Sequence, residues 1–303
     1  MPHALSRRLA RGAIRLANWL VDGTVLSAVV MIIAFTTFVV LDNGRVSSGA
    51  SVETFDSYRP DAEGASFEEL QGINPDVIGW LTIYGTGVDY PLVQGRDNDA
   101  YVNTNPVGEF ALSGSLFLDW RNAPDFSDRS TIVFGHHMED SLMFGDLDQY
   151  GNQGYLSQHR YGNLYYGGRD HGVEIFGYLL VDARDEVVYA TSVGEDPSSE
   201  DFLAYLEAHA SVWESGVTPD DRVLVLSTCG SGTNDRHVVV ACIRDQTFED
   251  TFPEKEVSRT LAGTAEGVRL GMQIGGALVV FLLIAWVVGA PSDGRGKRRG
   301  RER

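Results

Sequence analysis

Three residue types that can do chemistry sit at the ends of apolar runs. Leu226-Ser227-Thr228-Cys229 closes the run Val223-Leu224-Val225-Leu226, and Arg236 lies seven residues beyond the thiol, opening the run Val238-Val239-Val240-Ala241-Cys242-Ile243. Upstream, Thr131-Ile132-Val133-Phe134 leads into Gly135-His136-His137. Short β-branched runs of this kind predict strands, so a thiol, a guanidinium and an imidazole are expected at three strand ends on one β scaffold. A Cys beside a His can act as a thiolate nucleophile, and an Arg can hold an oxyanion. Each residue has a plainer reading. A lone Cys is as often a structural thiol, a lone His is commonly a satisfied surface or core residue, and Arg236 could pair with Asp221 or Asp235 at little energetic gain. The stretch after the thiol, Gly230-Ser231-Gly232-Thr233-Asn234, favours the chemical reading. Such a loop lets backbone approach a ligand, and the N–H of Gly230 can face an oxyanion.

Other site chemistries fit less well. Adjacent strand residues point to opposite faces, so His136 and His137 do not suit one ion, and no third ligand has suggestive spacing. No metal and no cofactor are expected. Two cysteines are too few for a disulfide framework. Cys242, inside an apolar run, reads as a small buried hydrophobe, which disfavours a Cys229–Cys242 bridge.

The scaffold must be placed relative to two apolar segments. The chain has 303 residues and a formal charge of -18, unevenly spread. Residues 1–41 carry net +3, residues 269–303 net +5, and residues 42–268 therefore -26. That acidity argues against nucleic acid, which is bound by basic stripes, and suits a solvated exported domain. Gly23 to Leu41 holds 19 uncharged residues, close to the roughly 20 that span a hydrocarbon core. No small-x-small cleavage site follows, so an uncleaved anchor is expected in place of a signal peptide. Leu270 to Ala290 is a second uncharged run, followed by Lys297-Arg298-Arg299. Basic residues outside both spans put both termini in the cytoplasm and the middle outside, with the tail able to touch anionic lipid. The expected divisions are a basic N-terminus 1–22, a transmembrane helix 23–41, a linker 42–65, a catalytic domain 66–250, a juxtamembrane segment 251–269, a second span 270–290 and a basic tail 291–303.

Within the middle, β patterns dominate. Strands are predicted over 78–84, 88–93 (with Pro91 marking an edge or bulge), 115–120, 130–134, 164–166, 173–181, 187–190, 222–228 and 237–243. Short helices are predicted from Ser66, where a Ser cap precedes two acids, and over 141–150, although Gly145 weakens the latter. The clearest helix follows Asp196-Pro197-Ser198-Ser199-Glu200-Asp201, with Phe202, Leu203, Leu206 and Ala210 on one face. About eight short strands with few helices predict a mainly β fold, a closed or nearly closed barrel.

Two cysteine-enzyme families are excluded by order along the chain. Papain-like enzymes place Cys before His, and here His136 precedes Cys229 by 93 residues. The L,D-transpeptidases carry a His two residues before the Cys, where this chain has Ser227. The chain instead resembles the sortases, membrane-anchored cysteine transpeptidases of Gram-positive bacteria. Leu226, Thr228 and Cys229 match the Leu-x-Thr-Cys motif, and His136 and Arg236 match the family's His and Arg. Class B is resembled most, through Asn74-Pro75-Asp76-Val77-Ile78-Gly79-Trp80, Asp89-Tyr90-Pro91-Leu92-Val93-Gln94, Gly114 to Asn122, Gly135-His136-His137-Met138 with Met143 to Leu147, and the helix at 199–210. The second apolar span is more typical of class C pilin polymerases, whose Asp-Pro-aromatic lid motif is absent from residues 42–77.

The resemblance implies an eight-stranded sortase-type β-barrel with an N-terminal helix and a helix inserted before the penultimate strand, flanked by two transmembrane helices. It implies His136, Cys229 and Arg236 as catalytic residues. Ser227, Thr228, Gly230 and Asn103, with Asn105 beside it, are the implied substrate groove. The implied substrates are secreted proteins with a C-terminal LPxTG- or NPxTx-like sorting signal, and the implied acceptor is an amine of peptidoglycan or a pilin lysine. A cysteine hydrolase and a catalytically degenerate, membrane-tethered β-barrel binding module are the competing readings.

Overall fold

A computed structural model describes residues 2–50, 55–60, 66–139, 141–195, 197–229 and 234–252. The described residues divide into two units, one of residues 2–44 and one from Arg45 onward. In the first unit, helix α1 (Pro2–Gly49) begins and runs on into the second. Its stretch Ala10–Val39 is long and apolar enough to cross a membrane. The hydroxyls of Thr24, Ser27 and Thr36 donate back to the carbonyls four residues earlier, at 2.8–2.9 Å, so they present no unpaired donor to an apolar surrounding. The expected second span, 270–290, lies outside the described residues.

The second unit contains α2 (Phe67–Ile73), β1 (Val77–Ile83), β2 (Asp89–Val93), β3 (Leu116–Leu118), β4 (Ser130–His136), α3 (Gln153–Gln158), β5 (Tyr161–Tyr166), β6 (Arg169–Asp182), α4 (Ser199–His209), β7 (Ala210–Trp213), β8 (Arg222–Cys229) and β9 (Asp235–Arg244). The strand order is β5-β1-β2-β3-β4-β8-β9-β6-β7, and β5 also pairs with β6. Eight strands therefore close into a barrel, which removes the exposed sheet edges. Strand β7 is a ninth strand, appended to β6 outside the ring. Closure depends on the 14-residue β6, whose first half pairs with β5 and whose length runs along β9. Pro91 sits opposite Trp80 of β1, one position before the start of the short parallel β2–β3 pairing, where its missing N–H removes no ladder bond to β3.

The core lies on both faces of the β4–β8–β9 segment. Leu81, Val133, Leu224, Leu226, Val239 and Ala241 fill the barrel interior. Ile132, Val223, Val225, Val238, Val240 and Cys242 face outward and are covered by Phe202 and Leu206 of α4 and by Val188. Two-sided burial explains why these runs are continuously apolar instead of alternating. Both predicted caps form: Ser66 accepts from the N–H of Glu69, and Ser198 from that of Asp201, each at 3.2 Å. Ala50 and Phe55, within the expected linker, are buried and packed into core clusters.

Several local expectations are corrected. Residues 187–190 form a turn and not a strand. The Asp185 carboxylate accepts from the N–H groups of Val187 (3.1 Å) and Val188 (2.9 Å), which satisfies the backbone locally while Val188 goes into the core. The expected helix over 141–150 is replaced by a tight turn and a 3-10 segment, Leu147–Gly151. Ser141 and Met143 take positive φ (59° and 52°), which no α-helix permits. Helix α3, capped by Asn152, and strand β7 were not anticipated.

His171 on β6 is 2 % exposed, stacks on Tyr166 at 3.8 Å, and has an unpaired Nδ1. Burial, reinforced by the nearby Arg169 guanidinium, lowers its pKa. The fold thus favours neutral His171 more than the unfolded chain does. Its contribution is intact above the unfolded value of about 6.5 and is lost as pH falls below that toward the folded value. Urea midpoints measured across that window should fall more steeply with acid in the wild type than in His171→Phe; identical slopes would remove His171 as the cause.

Candidate active site

Strands β4 and β8 run parallel with no break in register, from Ser130 opposite Val223 to His136 opposite Cys229. The two strands therefore end together, and the imidazole-bearing and thiol-bearing positions occupy the same last rung. Neighbouring strands lie roughly 4.8 Å apart, so this pairing alone brings residues 93 positions apart in the sequence to one place. On the other side β8 runs antiparallel to β9, with Ser227 opposite Val238. The start of β9, with Arg236, is thus beside the end of β8. Arg236 is itself paired with Val181 of β6, half-buried, and its Nη1 donates to the Asp235 carbonyl at 3.3 Å.

The His136 ring is oriented by backbone. Its Nε2 lies 2.8 Å from the Val102 carbonyl. A carbonyl only accepts, so Nε2 carries hydrogen and Nδ1 is the nitrogen left for chemistry. Val102 belongs to the long β2–β3 loop, 94–115. Asn103 is exposed and its carbonyl accepts from Ala111 at 3.0 Å. Asn105 has a turn-forming role, its side-chain oxygen accepting from the N–H groups of Val107 and Glu109 at 3.2 and 2.8 Å.

The remaining expected residues fall into two kinds. Ser227 and Thr228 are buried. Ser227 Oγ pairs with the Tyr189 hydroxyl at 2.9 Å, and Thr228 Oγ1 accepts from the His237 N–H at 3.2 Å, tying the end of β8 to β9. Gly230 lies outside the described residues. His137, just past the end of β4, is exposed and lies 3.4 Å from the Asp148 carboxylate. Among the described residues no group of three or more His, Cys, Asp or Glu is arranged to hold a metal.

Sequence reasoning missed two participants. Tyr189, in the segment between β6 and α4, stacks on Phe134 (centroids 6.0 Å apart) and reaches Ser227, so it covers the Phe134–Ser227 rung, two below His136 and Cys229. His237 accepts from or donates to the Tyr178 hydroxyl at 2.6 Å through Nδ1, its pKa lowered by burial. An aromatic inside an apparent strand, 187–190, carried no signal that its hydroxyl would face the site.

No protein-family model matches the chain. Sortase B of Listeria monocytogenes is 39% identical over 165 residues, covering 53% of this chain and 65% of that protein. Sortase B of Staphylococcus aureus is 33% identical over 184 residues, covering 58% of this chain and 74% of that protein. The crystal structure of sortase B from the Type II pilus of Streptococcus pneumoniae superposes with a TM-score of 0.51 at 42% identity, covering 60% of this chain and 99% of that one. The chain belongs to the sortase family. Within it the likeness is to class B. The match spans just under two thirds of the Listeria relative's length.

The sortase barrel separates its two cysteines sharply. Cys242 is buried, unbridged and paired in register with Val223 in the interior of β9, which rules out the Cys229–Cys242 disulfide. Burial pushes its thiol up to about 12, so it is a neutral core group at physiological pH. Below His136, Gly135 is a point of close packing: a Cβ there would meet Leu116 at 2.4 Å and Phe144 at 2.8 Å, both fully buried side chains. Gly135→Ala should cost about 1–3 kcal/mol in urea denaturation; an unchanged midpoint would mean the Leu116–Phe144 wedge yields freely.

Proposed function

We propose that this sortase is a membrane-anchored, class B-like cysteine transpeptidase that cleaves a C-terminal sorting signal and transfers the protein to an amine. The observation that supports this best is the β4–β8 register, which sets His136 opposite Cys229, with Arg236 on the adjoining strand. In this reading the Cys229 thiolate attacks the threonine carbonyl of an LPxTG- or NPxTx-like signal. The Arg236 guanidinium and the Gly230 N–H stabilise the tetrahedral oxyanion. His136, oriented through Nε2 by Val102, delivers its Nδ1 proton to the departing amine as the C–N bond breaks, leaving a thioester on Cys229. An incoming amine then attacks the thioester, His136 takes its proton, and the thiolate is released. Water in place of the amine would make the same site a cysteine peptidase. Asn103, exposed next to Val102, is assigned to the substrate groove, and the buried Ser227 and Thr228 to its floor.

Segment α1 serves as the anchor in this reading, with residues 270–290 as a second span, both termini cytoplasmic and the barrel outside the cell. The acceptor is a peptidoglycan amine. A second reading, a pilin lysine as acceptor, is favoured by the 42% identity to a sortase B from a pilus.

The decisive test incubates the chain with sorting-signal peptides, with and without a glycine-type or a lysine-type amine, and reads intact mass. A peptide adduct on Cys229 that moves to the amine is expected, and the productive amine distinguishes the two acceptors. Cys229→Ala and His136→Ala should abolish transfer, while Cys242→Ala and His137→Ala should retain most of it; equal loss across the four would sink the assignments. An adduct released only to water would favour a hydrolase, and no adduct with any peptide the degenerate binding module. Arg236→Lys should keep the fold but lower turnover about 10²–10³-fold, because a point charge does not copy the planar fork. Wild-type turnover in that variant would remove Arg236 from the oxyanion role.

A further inference from the structure

Two segments flank the His136–Cys229 rung. One is the β2–β3 loop, whose Val102 carbonyl holds His136. The other is the 183–195 segment, whose Tyr189 covers Phe134 and Ser227. They come from distant parts of the sequence, yet one buried carboxylate reaches both. Asp119, directly after β3, has a fully buried side chain. One oxygen, Oδ2, accepts from Asn98 Nδ2 at 3.2 Å, and Asn98 lies in the β2–β3 loop four residues before Val102. Both oxygens accept from Arg121, Oδ1 from Nε at 2.9 Å and Oδ2 from Nη2 at 2.7 Å. The same Nη2 donates on to the Tyr189 carbonyl at 3.2 Å. Asp119 is itself fixed to the sheet, its N–H donating to the Ile132 carbonyl of β4 at 2.9 Å.

We infer that the Asp119–Arg121 pair is a positioning hub that couples the two walls of the peptide groove, rigidly joining the loop that orients His136 to the segment that places Tyr189. This rests on the transpeptidase reading only for its kinetic consequence. The physical case is a satisfiability one. A carboxylate offers about four acceptor sites, and Asp119 uses them for a fork from Arg121 and a bond from Asn98 at once. The fork has bidentate, charge-assisted geometry, the strong form of such a pair. Burial alone would raise the Asp119 pKa, but the hydrogen bonds from Arg121 and Asn98 outweigh it and hold it below the usual value, so the pair stays ionised through the physiological range. An Asn in its place carries no charge and presents an NH2 where one oxygen stood, so it loses one arm of the Arg121 fork and weakens the bond from Asn98. The three residues should therefore separate by wall, with Arg121 governing Tyr189, Asn98 governing Val102 and His136, and Asp119 governing both.

Hydrogen exchange of the full chain in detergent, read by mass spectrometry, tests the coupling without relying on activity. Arg121→Gln should speed exchange about tenfold in 183–190, Asn98→Ala about tenfold in 98–104, and Asp119→Asn in both. In the peptide-transfer assay, Arg121→Gln should raise KM about tenfold with kcat held within about twofold, while Asn98→Ala should lower kcat. Asp119→Asn should do both, a split that a general loss of stability would not produce. Acceleration in only one wall for Asp119→Asn, or uniform acceleration through β4, β8 and β9 in all three variants, would overturn the hub. If Asp119→Asn does not fold, the Arg121 and Asn98 variants still decide, since each must loosen its own wall alone. A wild type that transfers no peptide would overturn the transpeptidase reading, and the exchange result would still decide the hub.

Discussion

Everything at the candidate site depends on the parallel pairing of β4 with β8. It joins two strands far apart in the chain, and its seven consecutive rungs run from Ser130–Val223 to His136–Cys229. A slip of one residue would move every side chain of one strand to the other face of the sheet. What prevents the slip is burial on both faces. Val223, Leu224, Val225 and Leu226 are all at most 2 % exposed, and each contributes roughly 1.5–3 kcal/mol on burial. The ion pairs at the opposite end of the barrel, such as Arg244 with Glu174 and Arg160 with Glu174, are partly exposed. Pairs of that kind contribute about 0–1 kcal/mol each. The register is therefore set by apolar packing, and the placement of His136 beside position 229 follows from it.

Barrel closure supplies the rigidity, and the strand ends carry the candidate site. His136 and Arg236 stand at strand ends, and the His136 ring is finished by something outside its own strand. For His136 that is a loop carbonyl, which fixes which ring nitrogen remains for proton transfer. Beneath them, Tyr189 and Ser227 join the segment before α4 to the floor of the same face. Helix α4 and Val188 cover that face from outside, with Cys242 buried among them. The second cysteine is thus part of the packing that holds the first one's strand in place.

Much of this architecture was legible in the residues. The apolar runs 130–134, 222–228 and 237–243 announce buried strands because both faces are covered, and Ser66 and Ser198 announce helices because their hydroxyls satisfy first-turn donors. The misreadings share a cause. Val187-Val188-Tyr189-Ala190 has strand composition, but Asp185 captures its backbone donors. The 141–150 stretch has helical spacing, but its chain must turn back over Gly145, where a Cβ would strike the Met138 carbonyl at 2.1 Å. In both, a local hydrogen bond or contact overrides the propensity of the run.

The sequence by itself determined which groups are candidates for the chemistry and that each closes or opens a strand, since residue type and apolar periodicity are local properties. It also determined the family, through motifs spread over most of the barrel. Only the tertiary structure decided that β4 and β8 are neighbours and in which register. Only it decided that the Val102 carbonyl orients His136, that Ser227 is buried under Tyr189, and that Asp119 ties two distant segments together. Those are contacts between residues tens of positions apart, fixed by how buried faces pack and by where buried polar groups find partners, and neither is written in the local pattern of a run.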